Sequence, residues 1–283
     1  MRLLSWNIQW CRGVDGVVDP ARIARTARAL CDPDVLCLQE VAANFAALAG
    51  SRGEDQCAAL AAEFPDHSTS VAWGVDVPDD ATGRRRFGNL ILSRFPIGRV
   101  LRHTLPWPPE PGSPSMPRVA LEAEIQAPWG SVRVTTTHLE YYSGGQRAAQ
   151  VERLRALHAE ACAQASAAPA GREDGGPFQH RPRPRSAILC GDFNLTGGDP
   201  LHQRLRAPFD AAAPPLHDAW QLLHGATPHP PSFRLYDASY TGTPYCCDYI
   251  FVSEDLAPRL RTLRIDSRCQ ASDHQPVVAE FSA

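Results

Sequence analysis

Ala187-Ile188-Leu189-Cys190-Gly191-Asp192-Phe193-Asn194 is a short apolar run that closes on an acid and an amide. A bounded apolar run of this length reads as a buried strand, so Asp192 and Asn194 follow its C-terminal end. Five other runs carry a polar group of the same kind at one end. Leu3-Leu4-Ser5-Trp6-Asn7, Val35-Leu36-Cys37-Leu38-Gln39-Glu40 and Val132-Arg133-Val134-Thr135-Thr136-Thr137-His138 end on one. Asp248-Tyr249-Ile250-Phe251-Val252 and Ser272-Asp273-His274-Gln275-Pro276-Val277-Val278 start with one. If the last two strands run antiparallel to the others, all these groups share one sheet edge, where open α/β sheets commonly place their sites. Singly, each has an ordinary reading. Asp-Phe-Asn suits a turn, Asn7 can end a strand, and His138 can be a satisfied core histidine. Together, acids, amides and imidazoles on one rim are the groups that hold a divalent metal beside a phosphate.

Composition narrows the field. The chain has 283 residues, 43% hydrophobic and 21% charged, which is ordinary for a globular protein long enough to bury a sizeable core. A net charge of −3 provides no global basic field to attract nucleic acid. All 28 basic residues are arginine, a choice that a GC-rich genome explains. The nine cysteines are odd in number and form no Cys-x-x-Cys, so neither a disulfide framework nor a zinc site is indicated. Free cysteines inside apolar runs suit a reducing compartment. With a strand-like run directly after Met1-Arg2 and no stretch of membrane-spanning length, the expectation is a cytoplasmic protein without a membrane segment.

The order of elements is that of one domain over 1–283. Asp19-Pro20 opens a helix to about Leu30, with Asp19 as cap and Pro20 in the first turn. Residues 34–40 read as a strand and Glu54 to Glu63 as an Ala-rich helix. Arg86 to Ser93 and Ile97 to Leu105 read as sequential strands turned at Phe95-Pro96. Val119–Ile125 and Val132–His138 form a hairpin, and Gln146 to Ala163 is the longest helix, with Val151, Leu154, Leu157 and Ala161 on one face. Six prolines in 106–117 exclude regular structure there. The Gly-, Pro- and Arg-rich stretch 168–185 predicts a mobile loop.

The motifs Ser5-Trp6-Asn7, Leu38-Gln39-Glu40, Gly88-Asn89-Leu90-Ile91-Leu92-Ser93-Arg94-Phe95-Pro96-Ile97 and Thr137-His138-Leu139 continue with Arg147-x-x-Gln150, Gly191-Asp192-Phe193-Asn194, Cys247-Asp248-Tyr249 and Ser272-Asp273-His274. In this order they resemble the endonuclease/exonuclease/phosphatase superfamily, which includes deoxyribonuclease I. The resemblance implies an α/β fold, a four-layer αββα sandwich of two mixed β-sheets with outer helices. It also implies a site. Glu40 is the main ligand of Mg²⁺ or Mn²⁺, with Asn7 and Asp273 as helpers, since hard divalent ions take oxygen donors. His274 and Asp248 form a dyad. Asp192 and Asn194 position the attacking water, and either Asp192 or His274 accepts its proton. His138 donates a hydrogen bond or proton toward phosphoryl or leaving oxygen. Asn89 and Arg118 are substrate-binding candidates, or else a turn or strand-end residue and a surface salt-bridge partner.

His138 stands where abasic-site endonucleases of the family carry tyrosine, which places the chain nearer the deoxyribonuclease, sphingomyelinase and phosphatase branches. Phe233 to Tyr245 holds Tyr236, Tyr240 and Tyr245 and reads either as a stacking loop or as cover for the sheet edge. Arg84-Arg85-Arg86 and Arg181-Pro182-Arg183-Pro184-Arg185 suit a polyanion if both flank the rim. The leading expectation is therefore a metal-dependent phosphodiesterase for nucleic acid or nucleotides, acting as a monomer with no protein partner implied. The alternatives are a phosphomonoesterase, a phosphodiesterase for a phospholipid or sugar phosphate, and an inert binding module.

Overall fold

The computed structural model describes residues 1–79, 83–167, 171–209, 213–237 and 241–283. Its elements are β1 (Arg2–Asn7), α1 (Pro20–Cys31), β2 (Val35–Ala43), α2 (Gln56–Glu63), β3 (Ser68–Asp79), β4 (Gly83–Ser93) and β5 (Ile97–Thr104). They continue with β6 (Val119–Ala127), β7 (Gly130–His138), α3 (Gly144–Ser166), β8 (Ala187–Asp192), α4 (Pro200–Arg206), β9 (Leu216–Asp218) and α5 (Ala219–His224). β10 (Asp248–Ser253), β11 (Leu260–Ile265) and β12 (Val277–Phe281) close the chain. One six-stranded sheet has the order β11-β12-β1-β2-β4-β3, the other β5-β6-β7-β8-β10-β9.

Each sheet has one parallel pair at its centre. β1 pairs with β2 and β7 with β8 in parallel, and a parallel pair needs a crossover connection. α1 and α3 supply it. Asp19 caps α1 by accepting the Arg22 N–H at 3.0 Å, and Ser143 caps α3 by accepting that of Gln146 at 3.0 Å. β12 runs antiparallel to β1, and β10 antiparallel to β8. The start of each antiparallel strand therefore lies beside the ends of the parallel pair.

Alternation along the strands builds three apolar layers, because successive side chains face opposite sides of a sheet. Leu3, Cys37, Ile91, Leu121, Val134, Ile188 and Ile250 fill the space between the sheets. Leu4, Leu36, Leu38, Leu90 and Leu92 face outward under Ile23, Ala27 and Leu60 of α1 and α2. Leu189, Phe193 and Phe251 face outward under Val151 and Leu154 of α3 and Leu205 of α4. The layers are helix, sheet, sheet, helix. All nine cysteines are free thiols, and eight of them are buried. Among the described residues no helix is long and apolar enough to cross a membrane.

β4 and β5 follow one another through the turn at Phe95-Pro96, which carries the chain from one sheet to the other. The structure departs from the sequence reading in two places. Glu40 does not end its strand. β2 runs on to Ala43, and its register with β4 slips between Leu38 and Val41, with Glu40 in the left-handed region at φ 59°. A bulge of this kind re-aims one side chain without ending the strand. In the 168–185 stretch, residues 168–170 lie outside the described residues, and the C-terminal part is tethered. Arg183 is buried on Glu122 at 2.5 Å, and Arg133 donates to the carbonyl of Pro184 at 2.8 Å.

Candidate active site

Asn7 ends β1 beside the bulge in β2, so its amide meets two carboxylates. Its Nδ2 donates to Glu40 Oε1 and to Asp192 Oδ2, both at 3.0 Å. Asp192 ends β8, level with His138 at the end of the parallel neighbour β7. The His138 ring approaches Asp192 Oδ2 to 3.5 Å and Glu40 Oε1 to 3.8 Å. The other Asp192 oxygen accepts the Asn194 N–H at 2.9 Å, while the Asn194 amide is fixed on the carbonyl of Leu139.

The start of β12 and the start of β10 bring in the second imidazole. His274 Nδ1 lies 2.9 Å from Asp248 Oδ2, and its Nε2 faces Asp192 Oδ2 at 3.7 Å. Ser232 donates to Asp248 Oδ2 at 2.6 Å and accepts the N–H groups of Cys247 and Asp248. Phe233 stacks on the His274 ring at 4.4 Å. Upstream of Ser232, His229 and His202 each contact Asp218 Oδ2, at 2.9 and 2.8 Å, and tie that segment to the head of α5.

Asp273 accepts from Gln9 Nε2 at 2.9 Å. Gln9 opens a strained turn in which Gln9, Trp10 and Cys11 all have positive φ, at 44°, 43° and 62°. Such residues cost about 1–3 kcal/mol each and persist only where neighbours hold them. Gln56 Nε2 donates to the Trp10 carbonyl at 2.7 Å, and the Trp10 indole N–H donates to the carbonyl of Ala49 at 2.9 Å.

Burial and neighbouring charge set three ionisations. Burial, then the charge of Asp273, raises the Glu40 carboxyl to about 7, against the pull of the Asn7 hydrogen bond. Burial lowers His138 to about 3, and Arg118 adds to the effect. Burial also opposes charge on His274, yet Asp248, Asp192 and Asp273 outweigh it and hold the imidazole well above its usual value. At neutral pH His138 is therefore neutral and His274 an imidazolium.

The donor set fits a hard divalent ion. Glu40 and Asp192 share one amide, Glu40 ionises reluctantly beside Asp273, and a cation at this point would neutralise the cluster. Arg118 is buried and bonded through Nε to the buried Glu140 at 3.2 Å, while its Nη1 has no hydrogen-bond partner. Asn89 stands apart. Its amide donates to the Val119 carbonyl at 2.9 Å and joins the two sheets.

A cavity of about 550 Å³ opens from these groups. Its walls are largely apolar, from Trp10, Phe45, Leu48, Val75, Phe87 and Met116, with Tyr141, Tyr142 and Phe233 also lining it. A second recess of about 430 Å³ holds Arg147, Thr196 and Asp199 and shares Tyr141, Tyr142 and Asn194 with the first. The sequence reading missed Gln9, Trp10, Ser232 and Tyr141-Tyr142. Two signals were available, since Gln9-Trp10 follows Asn7 directly and Tyr141-Tyr142 follows Thr137-His138-Leu139 at two residues' distance. In the aromatic loop, Tyr236 donates to the Ser267 carbonyl, Tyr245 packs on Phe233, and Tyr240 lies outside the described residues. Four of the six clustered arginines form ion pairs. Arg84 and Arg86 pair with Asp76, Arg85 pairs with Asp79, and Arg183 is spent on Glu122. Arg181 donates to Gln179 and Arg185 to Ser166.

No curated protein sequence matches the chain. Solved structures do. An endonuclease/exonuclease/phosphatase protein from Beutenbergia cavernae is 23% identical over all of this chain and 72% of its own, with a TM-score of 0.63. The human nocturnin catalytic domain with bound sulfate is 18% identical over all of this chain and 93% of its own, at 0.62. The Neisseria 3' phosphatase NExo, bound to a product DNA hairpin, is 19% identical over the full length of both, at 0.61. These likenesses share the two-sheet fold. A sequence model of the Endonuclease/Exonuclease/phosphatase family matches residues 4–274, and the chain belongs to that family.

Proposed function

We propose that the protein is a phosphodiesterase that uses Mg²⁺ or Mn²⁺ and hydrolyses its substrate by in-line attack of water at phosphorus. The observation that carries this reading is the shared amide. Asn7 binds Glu40 and Asp192 at once, with both imidazoles within 4 Å of Asp192. Glu40, with Asn7 and Asp273, would hold the ion, which when bound supplies Lewis-acid neutralisation of the phosphoryl and leaving oxygens.

The chain's own groups divide the rest of the work. Asp192 takes the proton of the attacking water, because His274 is already protonated and His138 is too weak a base. Asn194, fixed on Leu139, orients that water with Asp192. The His274 imidazolium, oriented by Asp248, donates to a phosphoryl oxygen. Neutral His138 offers an N–H toward the leaving oxygen. Arg118 Nη1 is a spare donor for the same oxygens. Asn89 fastens the two sheets beside Arg118 and His138.

Two recesses meeting at Asn194 support a diester, since each can take one ester arm. A nucleotide-sized diester fits that arrangement. The expectation of a long polyanion loses part of its support, because four of the six arginines that motivated it are engaged in ion pairs. The test is a substrate panel with and without EDTA, spanning bis-p-nitrophenyl phosphate, p-nitrophenyl phosphate, plasmid DNA, RNA and sphingomyelin. Diester turnover abolished by EDTA and restored by Mg²⁺ or Mn²⁺ is the expected result. Release of inorganic phosphate from the monoester alone would favour a phosphomonoesterase. No turnover of any compound with fresh metal would leave an inert binding module.

A further inference from the structure

The wall beside the catalytic groups is built for an uncharged arm. Trp10, Phe45, Leu48, Val75, Phe87 and Met116 come from five separate segments, yet they line one continuous face of the 550 Å³ cavity. That volume lies within the usual range for small-ligand sites, which are largely apolar with a few placed polar groups. The face is preorganised. Phe45 and Phe87 meet edge to face at 6.5 Å, and Trp10 is held in a left-handed backbone conformation by Gln56 and Ala49. The strained turn costs stability, and it both sets Gln9 on Asp273 and places the Trp10 indole in the cavity wall. Leu48 and Met116 add flexible apolar surface, which adapts to ligands of differing shape.

We infer that the substrate is a phosphodiester with one apolar arm, alkyl or aryl, that lies against Trp10, Phe45, Phe87 and Met116, and that this contact sets specificity. The inference rests on the phosphodiesterase reading and adds the chemistry of one arm. The arm's partner across the phosphate is polar, since the adjoining recess offers Arg147, Thr196 and Asp199. Water supplies the oxygen that adds to phosphorus and gives a proton to Asp192; the leaving oxygen departs with the electron pair of its P–O bond and becomes an alcohol by taking up a proton.

The test uses the metal-loaded protein and a series of n-alkyl phosphates, from methyl to octyl, as competitive inhibitors of bis-p-nitrophenyl phosphate turnover. Each added methylene should tighten the inhibition constant about twofold to fourfold until the cavity is full, as expected for burial worth up to about 0.8 kcal/mol per CH₂. Phe45→Ala and, separately, Met116→Ser should flatten that slope. Turnover with inhibition constants independent of chain length overturns the inference and leaves the hydrolase reading intact. So does tighter, salt-sensitive inhibition by a short oligonucleotide than by octyl phosphate, or an unchanged slope in both variants. Absence of turnover with Mg²⁺ and Mn²⁺ overturns the hydrolase reading and takes this inference with it.

Discussion

The Glu40 carboxyl loses its proton only near pH 7, because burial and the Asp273 charge oppose its ionisation. Metal and proton then compete for it, so affinity for Mn²⁺ should weaken by up to tenfold per pH unit below about 7. Calorimetric titration at pH 6, 7 and 8 measures this, and an affinity constant across that range would remove Glu40 from the ligand set. Asp192→Asn keeps the shape but cannot take a proton, and turnover should fall by about 10²–10⁴-fold with the melting temperature little changed. Asp248→Asn probes the imidazolium. Without that carboxylate the His274 pKa falls, so the protonated form is lost at lower pH. The alkaline limb of kcat/KM should move toward acid, and a limb that stays in place would show that His274 works unprotonated. The identities of these residues were legible in the sequence because each ends or begins an apolar run. Their ionisation was not, since it depends on neighbours far away in the chain, as Asp273 is from Glu40.

Gly191 shows why strand ends must be built from particular residues. It pairs with Thr137 of the parallel neighbour, has φ 137°, and a Cβ placed on it would lie 1.9 Å from the Thr137 carbonyl oxygen. Gly191→Ala would therefore push β8 away from β7 and separate Asp192 from His138. We expect both lost turnover and a fall in stability of about 3 kcal/mol or more, because contact and backbone strain add. Denaturant melts and kcat measure the two effects, and an active, stable variant would show that the strand ends tolerate displacement. The Asp19 cap of α1 and the β6–β7 hairpin were readable, since local chemistry dictates them; the Ser143 cap of α3 and the close approach at Gly191 went unread. The bulge at Glu40 was not. A run of apolar residues does not show where an antiparallel partner slips by one position, and Phe95-Pro96 does not show that β4 and β5 join different sheets.

Metal binding should also register as stability of the fold. The folded Glu40 carboxyl titrates near 7, against an ordinary 4.5, so between these values the folded chain holds a proton that the unfolded chain has released. That contribution to stability is complete below about 4.5 and is lost as pH rises to about 7, to a total of about 3 kcal/mol. In EDTA at pH 8, Glu40→Gln should therefore melt above the native protein while being inactive. Mg²⁺ should raise the native melting temperature more at pH 8 than at pH 6. A Glu40→Gln protein that melts no higher at pH 8 would remove the strain assigned to this carboxyl. The apolar wall was the part of the molecule least visible beforehand. Trp10, Phe45, Phe87 and Met116 lie in distant segments with no shared period, and only the assembled sheets bring them together. The rim itself is divided: Asn7 and Glu40 belong to the first sheet, with His274 on the segment leading into its β12, and His138, Asp192 and Asp248 to the second. Gln39 to Thr136, at 2.8 Å, and Asn89 to Val119 are cross-links beneath that seam. Hydrolysis thus acts as a gauge of alignment between two halves. Heating or pressure that lets them slide by a fraction of an ångström should silence the enzyme while its spectroscopic signature is still native.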